Sequence, residues 1–554
     1  MVPYDNEGRT PAMRIIDRLA CWLTGAVAAA ILVTSATAAP SAADASATSK
    51  PVTPAVSLPP AGQHGFPFMS TVIDLRRYGY VEEEFLIAGK AQSYVPVVAG
   101  DLSPDGRWNA MPNPGVTAPY TTRILVRRPQ DPARFNGTVI VEWINESGPT
   151  EATYDWLYMH EELLRRGYAY VGVSAQYHSI QVLQGWETGA GARYASLFHP
   201  GDSFDFNIFA QAGWAVEHPR EGDPRPLGGL TNHVRTLLAT GFSQSAGWLV
   251  TYLNSVHRLT PVYDGFLLHD DGGDANLSIS MADDQGDPVP AGVPTTPDVI
   301  TPYPFQLRSD QHVPVLILLS EFGLSDFGAG AARTFHLQPD TPNIRIWELT
   351  GAPHIEADLI RDVTAETNKS QPGQTPDVCN GPPTMPALVH GYGVRAALHA
   401  LADWVEKGRI PGIAPRQSLI VPSPADDFDQ LVAFDRDPAT NLTRGGIRLP
   451  AIAVPIATLD GNRSDLEDDA QGPGGGCYFS GAYDRWNHDS DPWDGKAGLD
   501  PSPDPEPALL ALYPTHDDYV RKIAAASLRS VESGYLLPED AAKVVLEGVT
   551  TAVP

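Results

Sequence analysis

Cysteine and basic residues are scarce in this sequence. Its 554 residues include three cysteines, and 38 Lys and Arg stand against 66 Asp and Glu, for a formal net charge of −28. Neither Cys379 nor Cys477 has His or Cys neighbours at the spacing of metal ligands, which argues against a zinc site. A strongly acidic surface repels phosphate backbones and anionic lipid, so we expect no nucleic acid as a partner.

Long apolar runs are also missing after residue 38. Before it, residues 19–33 form a largely apolar stretch that is short for a membrane span and leads to small residues ending at Ala38. This pattern predicts a signal peptide over residues 1–38, cleavage near Ala38, and a secreted or periplasmic product with no stable membrane anchor. Translation could start at Met1 or at Met13, because the acidic residues between them are unusual in a signal peptide.

The sequence does contain a large folded region. Hydrophobic residues make up 42% of the chain, and 50 glycines and 52 prolines indicate many loops. Residues 39–65 are mostly Ala, Ser, Pro and Thr without an apolar period, which predicts a flexible leader. Residues 66–554 are then expected to form one elaborated domain, because a single α/β core with insertions can account for that length.

Strand-like and helix-like segments alternate along this domain. The alternation predicts an α/β fold with a mostly parallel central sheet and helices on both faces. Residues 176–232 and 270–311 interrupt it, and loops of that length are typical of lids or binding walls. Residues 412–510 are expected to be a peripheral extension with a strand-like piece at 451–455, followed by a late helix at 519–528 capped by Thr515 and Asp518. The predicted core strands are 85–88, 122–127, 138–143, 168–173, 234–240, 263–268, 313–319 and 344–349, and the predicted core helices are 151–166, 246–253 and 394–405.

The sharpest local signal is the string Gly241-Phe242-Ser243-Gln244-Ser245, between a predicted strand and a predicted helix. In that context a strained turn can present a serine hydroxyl above the sheet, and small flanking residues let the strand and the helix approach each other. Ser245 stands where glycine is commoner. We therefore expect Ser243 to be a nucleophile.

A histidine is needed near such a serine, because a hydroxyl is a poor nucleophile until a base takes its proton. The predicted strand at 344–349 is followed by Thr350-Gly351-Ala352-Pro353-His354, whose Gly and Pro predict a turn. His354 is therefore the expected general base.

The imidazole in turn needs a carboxylate that fixes its tautomer. Glu321 comes soon after the predicted strand at 313–319 and is the first choice, while Asp326, five residues later, is the alternative. Asp271, after the preceding strand, is a third candidate. The chain order serine, acid, histidine is the one expected on this kind of fold.

N–H groups must also meet the negative charge that develops on a carbonyl oxygen during attack. We expect one donor of this oxyanion hole to be Gln244, directly after the serine. The second is expected from the loop after the strand at 138–143, where Asn145 is the residue expected to line the hole. The alternative is that Asn145 is a turn asparagine that bonds its own backbone.

Two cysteines remain once the predicted signal peptide is removed. In an oxidising compartment an even pair is more often a bridge than two thiols, so a disulfide between Cys379 and Cys477 is predicted. Two buried thiols are the alternative.

Several strings in a fixed order carry a family resemblance. The strings are Gly79-Tyr80-Val81-Glu82-Glu83-Glu84, Gly137-Thr138-Val139-Ile140-Val141-Glu142-Trp143, Val171-Gly172-Val173-Ser174-Ala175-Gln176, Gly241 to Ala246, and Trp347 to His354. Together they resemble the large bacterial "alpha/beta hydrolase domain" family of secreted serine hydrolases, from about residue 70 to the C-terminus. The resemblance implies an α/β-hydrolase fold and the roles of Ser243 and His354 given above, and it places Glu321 where the family usually has a Glu after the strand. The family more often has an Asp two residues after that Glu, where this chain has Gly323.

These observations favour a serine hydrolase that cleaves carboxylic esters, in a small molecule or a polymer, through an acyl-enzyme on Ser243. No cofactor is expected, because serine, histidine, acid and oxyanion hole supply the chemistry. No metal is expected either, because the acidic string at 270–274 lacks a full set of calcium ligands. Two alternatives are a non-catalytic binding protein on the same fold and a peptide or amide hydrolase that uses the same residues.

Overall fold

The computed structural model describes most of the chain after residue 48. Several predictions fall outside the described residues: the signal peptide, residues 39–48 of the leader, most of the segment 270–311, Asp271, Asp326, Cys379 and Cys477. The prediction of a flexible leader is wrong for part of residues 49–65, because Ala55–Ser57 form a strand that pairs with residues 86–88 of the central sheet. The described ranges are 49–98, 102–147, 150–189, 191–270, 305–324, 335–372, 386, 388–420, 433–461, 478–486 and 509–553.

A nine-stranded sheet forms the centre of the described part of the chain. Two further two-stranded sheets lie in the C-terminal third. The nine central strands are β1 (Ala55–Ser57), β2 (Tyr80–Pro96), β3 (Ala110–Pro129), β4 (Thr138–Trp143), β5 (Ala169–Val173), β6 (Thr236–Phe242), β7 (Gly265–His269), β8 (Val315–Ser320) and β9 (Ile344–Leu349); the small sheets pair β10 (Leu419–Ile420) with β11 (Ala433–Phe434) and β12 (Ala457–Asp460) with β13 (Ala482–Arg485).

The central sheet is mostly parallel, as predicted. Its strand order is β1-β2-β3-β5-β4-β6-β7-β8-β9, and every neighbouring pair from β5 to β9 in that order is parallel. The first three strands are antiparallel additions at one edge, where β2 and β3 form a long hairpin. Every residue of β4 is buried, which is typical of a central parallel strand rich in β-branched side chains.

Helices cover both faces of this sheet. The described helices are α1 (Tyr154–Arg166), α2 (Tyr177–Trp186), α3 (Asp205–Glu217), α4 (Gln244–Thr251), α5 (Ala357–Ser370), α6 (His390–Lys407), α7 (Pro450–Ala453), α8 (Leu509–Leu512), α9 (His516–Glu532) and α10 (Pro538–Thr550). A π-helical turn, Tyr252–Val256, directly continues α4. The alternation of side chains along a strand divides the core into two parts: Val139 and Val141 pack with α3 and α4 on one face, whereas Ile140 packs with α1 and α6 on the other.

The prediction of a strand-like piece at 451–455 is wrong. Residues 450–453 form the short helix α7, with Pro450 at its first position and Leu449 extended before it. A proline at this position has its φ already set for a helix, and the N–H that it lacks would have no partner there. The predicted cap of α9 is confirmed, since the Thr515 hydroxyl accepts from the N–H of Asp518.

The C-terminal segments pack against the end of β9. The N–H of Ile447 donates to the Glu348 oxygen at 2.7 Å, and the N–H of Thr350 donates to the Ile447 oxygen at 3.2 Å. These bonds place residues 433–461 beside the loop that carries His354. Within the described ranges, no helix combines the length and the apolar composition needed to cross a bilayer.

Candidate active site

Ser243 lies at a strained bend between β6 and α4. Its φ of 57° and ψ of −123° are unusual for a residue with a side chain. The N–H of Ser243 donates to the His269 oxygen at 2.9 Å, so the bend is also fixed to the end of β7. The conformation is the strand–turn–helix geometry that the sequence predicted for residues 241–245.

The two small residues around Ser243 explain how this bend is held. A Cβ on Gly241 would lie 2.8 Å from the main-chain oxygen of Ser245, so only glycine fits there. The Ser245 hydroxyl donates to the Phe242 oxygen at 2.9 Å and accepts from the Phe242 N–H at 3.0 Å. A serine at position 245 therefore closes the turn with two hydrogen bonds that glycine would not provide.

The ring of His354 lies beside this bend. It stacks on Phe242, the residue before Ser243, with centroids 4.5 Å apart and an interplanar angle of 24°. The rings of Phe322 and Phe479 also lie against the His354 ring, with centroid distances of 5.1 and 5.5 Å. Ser243 and His354 are only 8% and 5% exposed, so a reacting group bound here would be largely shielded from water.

The carboxylate that meets His354 is Asp270. Its Oδ2 lies 2.5 Å from Nδ1 of the imidazole, and it also accepts from the Ser320 hydroxyl at 2.7 Å. Its Oδ1 accepts from the Ser320 N–H at 2.7 Å. Burial acts to raise the pKa of Asp270, but His354 and the Ser320 donor outweigh it and hold the pKa at about 2. Asp270 is therefore a buried carboxylate that can stabilise a positive charge on His354.

The prediction that Glu321 contacts His354 is wrong. Glu321 accepts from the Gly351 N–H at 2.7 Å and from Arg436 at 3.1 Å. Ser320, the last residue of β8, donates its hydroxyl to Asp270, whereas Glu321 begins the turn after the strand and its side chain lies against Gly351 and Arg436. Asp326, the alternative acid, lies outside the described residues.

Two sequence signals could have identified Asp270. It is the first residue after β7, which extends one residue beyond the predicted end at Leu268. The second signal is Gly323, where the resembled family more often has Asp. A Cβ on Gly323 would lie 2.3 Å from Oδ1 of Asp270, so the absence of an acid at 323 makes room for the acid at 270.

Asn145 connects the loop after β4 to the bend at Ser243. Its Nδ2 donates to the Phe242 oxygen at 2.8 Å, and its Oδ1 accepts from the Ser147 N–H at 3.0 Å. Its own N–H donates to the Ala152 oxygen at 3.3 Å. The structure thus uses Asn145 as a turn residue that also supports the bend, in line with the alternative interpretation of this residue.

Gln244, the other predicted oxyanion-hole residue, is the first residue of α4. N–H groups in the first turn of a helix have no acceptor within the helix and carry the positive end of its dipole. The position is therefore suited to meet a developing negative charge next to Ser243.

A comparison with known protein families identifies the chain. The profile of a family described as "Alpha/beta hydrolase domain" matches residues 50–546. The chain belongs to this family. The predicted family and fold class are therefore confirmed. Membership of this family also supports the prediction that the protein is a hydrolase.

The solved structures that match the chain are distant from it in sequence. An α/β serine hydrolase without a lid from Xanthomonas campestris is 12% identical, with a TM-score of 0.25, over 46% of this chain and 91% of that one. Est1E from Butyrivibrio proteoclasticus is 11% identical, with a TM-score of 0.26, over 45% and 93%. A serine hydrolase homologue from Coxiella burnetii is 12% identical, with a TM-score of 0.26, over 45% and 91%. Among curated proteins, none is similar enough to this hydrolase to count as a relative.

The loop that carries His354 is attached to the start of α6. The carboxylate of Glu356 accepts from four consecutive main-chain N–H groups there, at 2.9 to 3.1 Å. A carboxylate in that position also complements the positive end of the helix dipole. The donors are Leu388, Val389, His390 and Gly391.

One group of side chains in the described residues has the spacing of metal ligands: His199, Asp202 and Asp205. However, Nε2 of His199 donates to the Ala175 oxygen at 2.8 Å, and Nδ1 accepts from the Gly201 N–H at 3.1 Å. Burial lowers the pKa of His199 to about 4, so the ring is neutral. Both ring nitrogens are already used, and this geometry does not fit a metal site.

Proposed function

We propose that this hydrolase cleaves carboxylic esters through an acyl-enzyme on Ser243, with His354 as general base and Asp270 as the carboxylate that orients His354. The observation that carries the proposal is the contact of 2.5 Å between Nδ1 of His354 and Oδ2 of Asp270, with the ring stacked beside the strained Ser243. Because Nδ1 donates to Asp270, Nε2 is the nitrogen left for the serine proton.

The reaction has two halves. In the first, the Ser243 oxygen bonds to the ester carbonyl carbon, His354 takes the serine proton at Nε2, and the alcohol leaves with that proton. In the second, His354 takes a proton from water, the water oxygen attacks the acyl carbon, and the carboxylic acid leaves as the proton returns to Ser243. Asp270 stays ionised and stabilises the imidazolium in both halves.

Backbone donors would stabilise the oxyanion of each half-reaction. The proposal assigns one donor to the N–H of Gln244 and the second to the loop after β4, which Asn145 attaches to the bend. The substrate is a small-molecule or polymeric ester, and no cofactor takes part in these steps.

Covalent labelling tests the nucleophile. We expect a fluorophosphonate to label the wild type at one serine, and Ser243→Ala to lose both the label and p-nitrophenyl ester turnover. Ser527→Ala is a matched control, because that buried serine donates only to the Ile523 oxygen of its own helix, α9. An unlabelled wild type would favour the alternative of a binding protein on the same fold.

The class of scissile bond is tested separately. We expect faster turnover of p-nitrophenyl acyl esters than of aminoacyl anilides by the same preparation. A preference for anilides would replace the ester proposal by amide or peptide hydrolysis with the same residues.

We also propose that the protein is exported and cleaved near Ala38, on the sequence pattern of residues 1–38 alone. N-terminal sequencing of the product from an expressing cell, after fractionation, tests this. A cytoplasmic product that retains residues 14–38 would contradict export.

A further inference from the structure

A buried chain of hydrogen bonds runs from the first turn of α1 to the loop that carries His354. Asp155 Oδ1 lies 2.7 Å from His269 Nδ1, and His269 Nε2 lies 2.8 Å from His390 Nε2. His390 Nδ1 then lies 2.7 Å from the main-chain oxygen of Pro353. The side chains of Asp155, His269 and His390 are fully buried, and none of them takes part in the proposed acyl transfer.

The last link fixes where the protons of this chain are. The Pro353 oxygen can only accept, so Nδ1 of His390 carries the hydrogen. Neutral His390 then has a lone pair at Nε2, and Nε2 of His269 must donate to it. Neutral His269 in turn has a lone pair at Nδ1, which a protonated Asp155 carboxyl can meet. Every link then donates in one direction, from Asp155 towards Pro353.

The surroundings of the chain agree with these protonation states. Burial lowers the pKa of His269 to about 3 and that of His390 to about 4, so both rings are neutral. Burial raises the pKa of Asp155 to about 7, so the carboxyl holds its proton below neutral pH. The Thr240 hydroxyl lies 2.5 Å from Oδ2 of Asp155 and can donate to it.

A second carboxyl, Glu142, lies next to Asp155. Burial raises the pKa of both, and the neighbouring Asp155 raises the pKa of Glu142 further, so the hydrogen-bond contacts of each carboxyl decide which one holds the proton. Glu142 accepts from the N–H groups of Asp155 and Trp156 and from the Tyr170 hydroxyl. Three donors suit an ionised carboxylate, whereas Asp155 faces a ring nitrogen that needs a donor. The proton of this pair therefore belongs to Asp155.

The chain ends on the loop that places His354. The Tyr158 hydroxyl donates to the main-chain oxygen of His354 at 2.8 Å, next to the Pro353 oxygen that His390 holds. The main-chain carbonyl groups of Pro353 and His354 thus each accept a hydrogen bond from a buried side chain. Buried partners of this kind keep a reacting side chain in its productive orientation.

We propose that Asp155, His269 and His390 are positioning residues for His354, and that Asp155 acts as a neutral carboxylic acid that donates to His269. This rests on the proposed role of His354 as general base. This chain of hydrogen bonds carries no proton during turnover. It fixes the position of the loop and thereby the orientation of the His354 imidazole.

Substitution of Asp155 by Asn tests whether the side chain at position 155 donates a hydrogen bond to His269 or accepts one from it. Asn has nearly the shape of a protonated Asp, and its Nδ2 can donate to His269 while its Oδ1 faces Thr240. Ala leaves Nδ1 of His269 without a partner. We expect Asp155→Asn to keep kcat for a p-nitrophenyl ester within about threefold of the wild type, and Asp155→Ala to lower it by about 10- to 100-fold with KM changed by less than about threefold. If kcat falls as far in Asp155→Asn as in Asp155→Ala, Asp155 is an ionised acceptor and the proposal is wrong.

The proton positions are measured without any substrate. Nitrogen-15 NMR of the histidine-labelled wild type below neutral pH separates ring nitrogens that carry hydrogen from those that do not, with signals assigned by single His-to-Gln variants. We expect His390 to carry hydrogen on Nδ1 alone and His269 on Nε2 alone. A hydrogen on Nε2 of His390, or on Nδ1 of His269, overturns the proposal.

The two proposals fail in different ways. If the wild type is not labelled by fluorophosphonate, the esterase proposal fails and the NMR result still decides the protonation of the chain. If the wild type is labelled but the ring hydrogens lie elsewhere, only the positioning proposal fails. Thermal unfolding of both Asp155 variants separates a displaced loop from a lost fold, and where Asp155→Ala does not fold the NMR result decides.

Discussion

Nδ1 of His354 lies 2.5 Å from Oδ2 of Asp270, although 84 residues separate the two in the chain. Glu321 lies closer to His354 in sequence but is directed to Arg436 and Gly351 instead. The two carboxylates therefore have different surroundings and can be distinguished by the same kind of substitution.

Asp270→Asn should remove most of the activity. Asp270 accepts from three donors, and an amide would place its NH2 group against one of them and stabilise the wrong tautomer of His354. We expect kcat for a p-nitrophenyl ester to fall by about 10³- to 10⁴-fold, measured with a stopped assay at neutral pH. Glu321→Gln is the matched control, because Gln can still accept from Gly351, and it should lower kcat by less than about tenfold. Equal losses in the two variants would contradict the assignment of Asp270.

Gly241→Ala should distort the bend at Ser243. The new Cβ would lie 2.8 Å from the Ser245 oxygen, and the backbone has no room to move away between β6 and α4. We expect about 1–3 kcal/mol of lost stability, measured by denaturant unfolding, together with a large fall in kcat. Gly185→Ala in α2, where a Cβ would meet no heavy atom within 4 Å, should be neutral or slightly stabilising. A fully active Gly241→Ala would show that the bend tolerates a wider turn.

Glu366→Gln should change how stability depends on pH. Burial raises the pKa of Glu366 to about 7, with Arg127 acting against it. In the unfolded chain this carboxyl ionises from about pH 4, whereas in the folded protein it stays protonated up to about pH 7, so the wild type loses stability across this window as pH rises. Gln does not ionise, so the variant should gain up to about 3 kcal/mol relative to the wild type between pH 4 and 8.

Denaturant unfolding of both proteins at one-unit pH steps checks this expectation. Glu532→Gln, at an exposed position on α9, serves as the control for the loss of one carboxylate. A difference between Glu366→Gln and the wild type that is constant with pH would mean that Glu366 is ionised in the folded protein.

The predicted disulfide between Cys379 and Cys477 stays a prediction, because both residues lie outside the described ranges. We expect the mature, denatured protein to take up no iodoacetamide until it is reduced, and then two equivalents, as read by intact mass. Cys379→Ala should expose one thiol at Cys477 without reduction. Two thiols that react before reduction would favour the alternative of buried, unpaired cysteines.

Short strands rich in β-branched and aromatic residues were predictable. The bounds of β4 and β9 agree with the predicted segments 138–143 and 344–349, because such residues between turn residues are a strong strand signal. The hairpin of β2 and β3 is far longer than the predicted segments 85–88 and 122–127. Its outer parts contain Pro, Gly and polar residues, and the pairing of the two strands with each other compensates for their weak individual signals.

The site was predictable where a local pattern defines the geometry. Ser243 sits in a string whose glycine and serine shape the turn, and His354 follows a turn that ends the last core strand. Asp270 has no such string. Its role depends on which side chain faces the sheet edge after β7, and a shift of one residue in the end of that strand reverses this.

Among the described residues, the donors to the carboxylate of Asp270 come later in the chain, from Ser320 and His354. During synthesis, a nascent chain that ends before residue 354 would have to bury this charge without its imidazole partner, which is costly. We therefore expect the proposed site to mature late in folding, after β9 has docked. A protein truncated after β8 would present an open edge with Asp270 in water, a form that quality-control proteases can recognise.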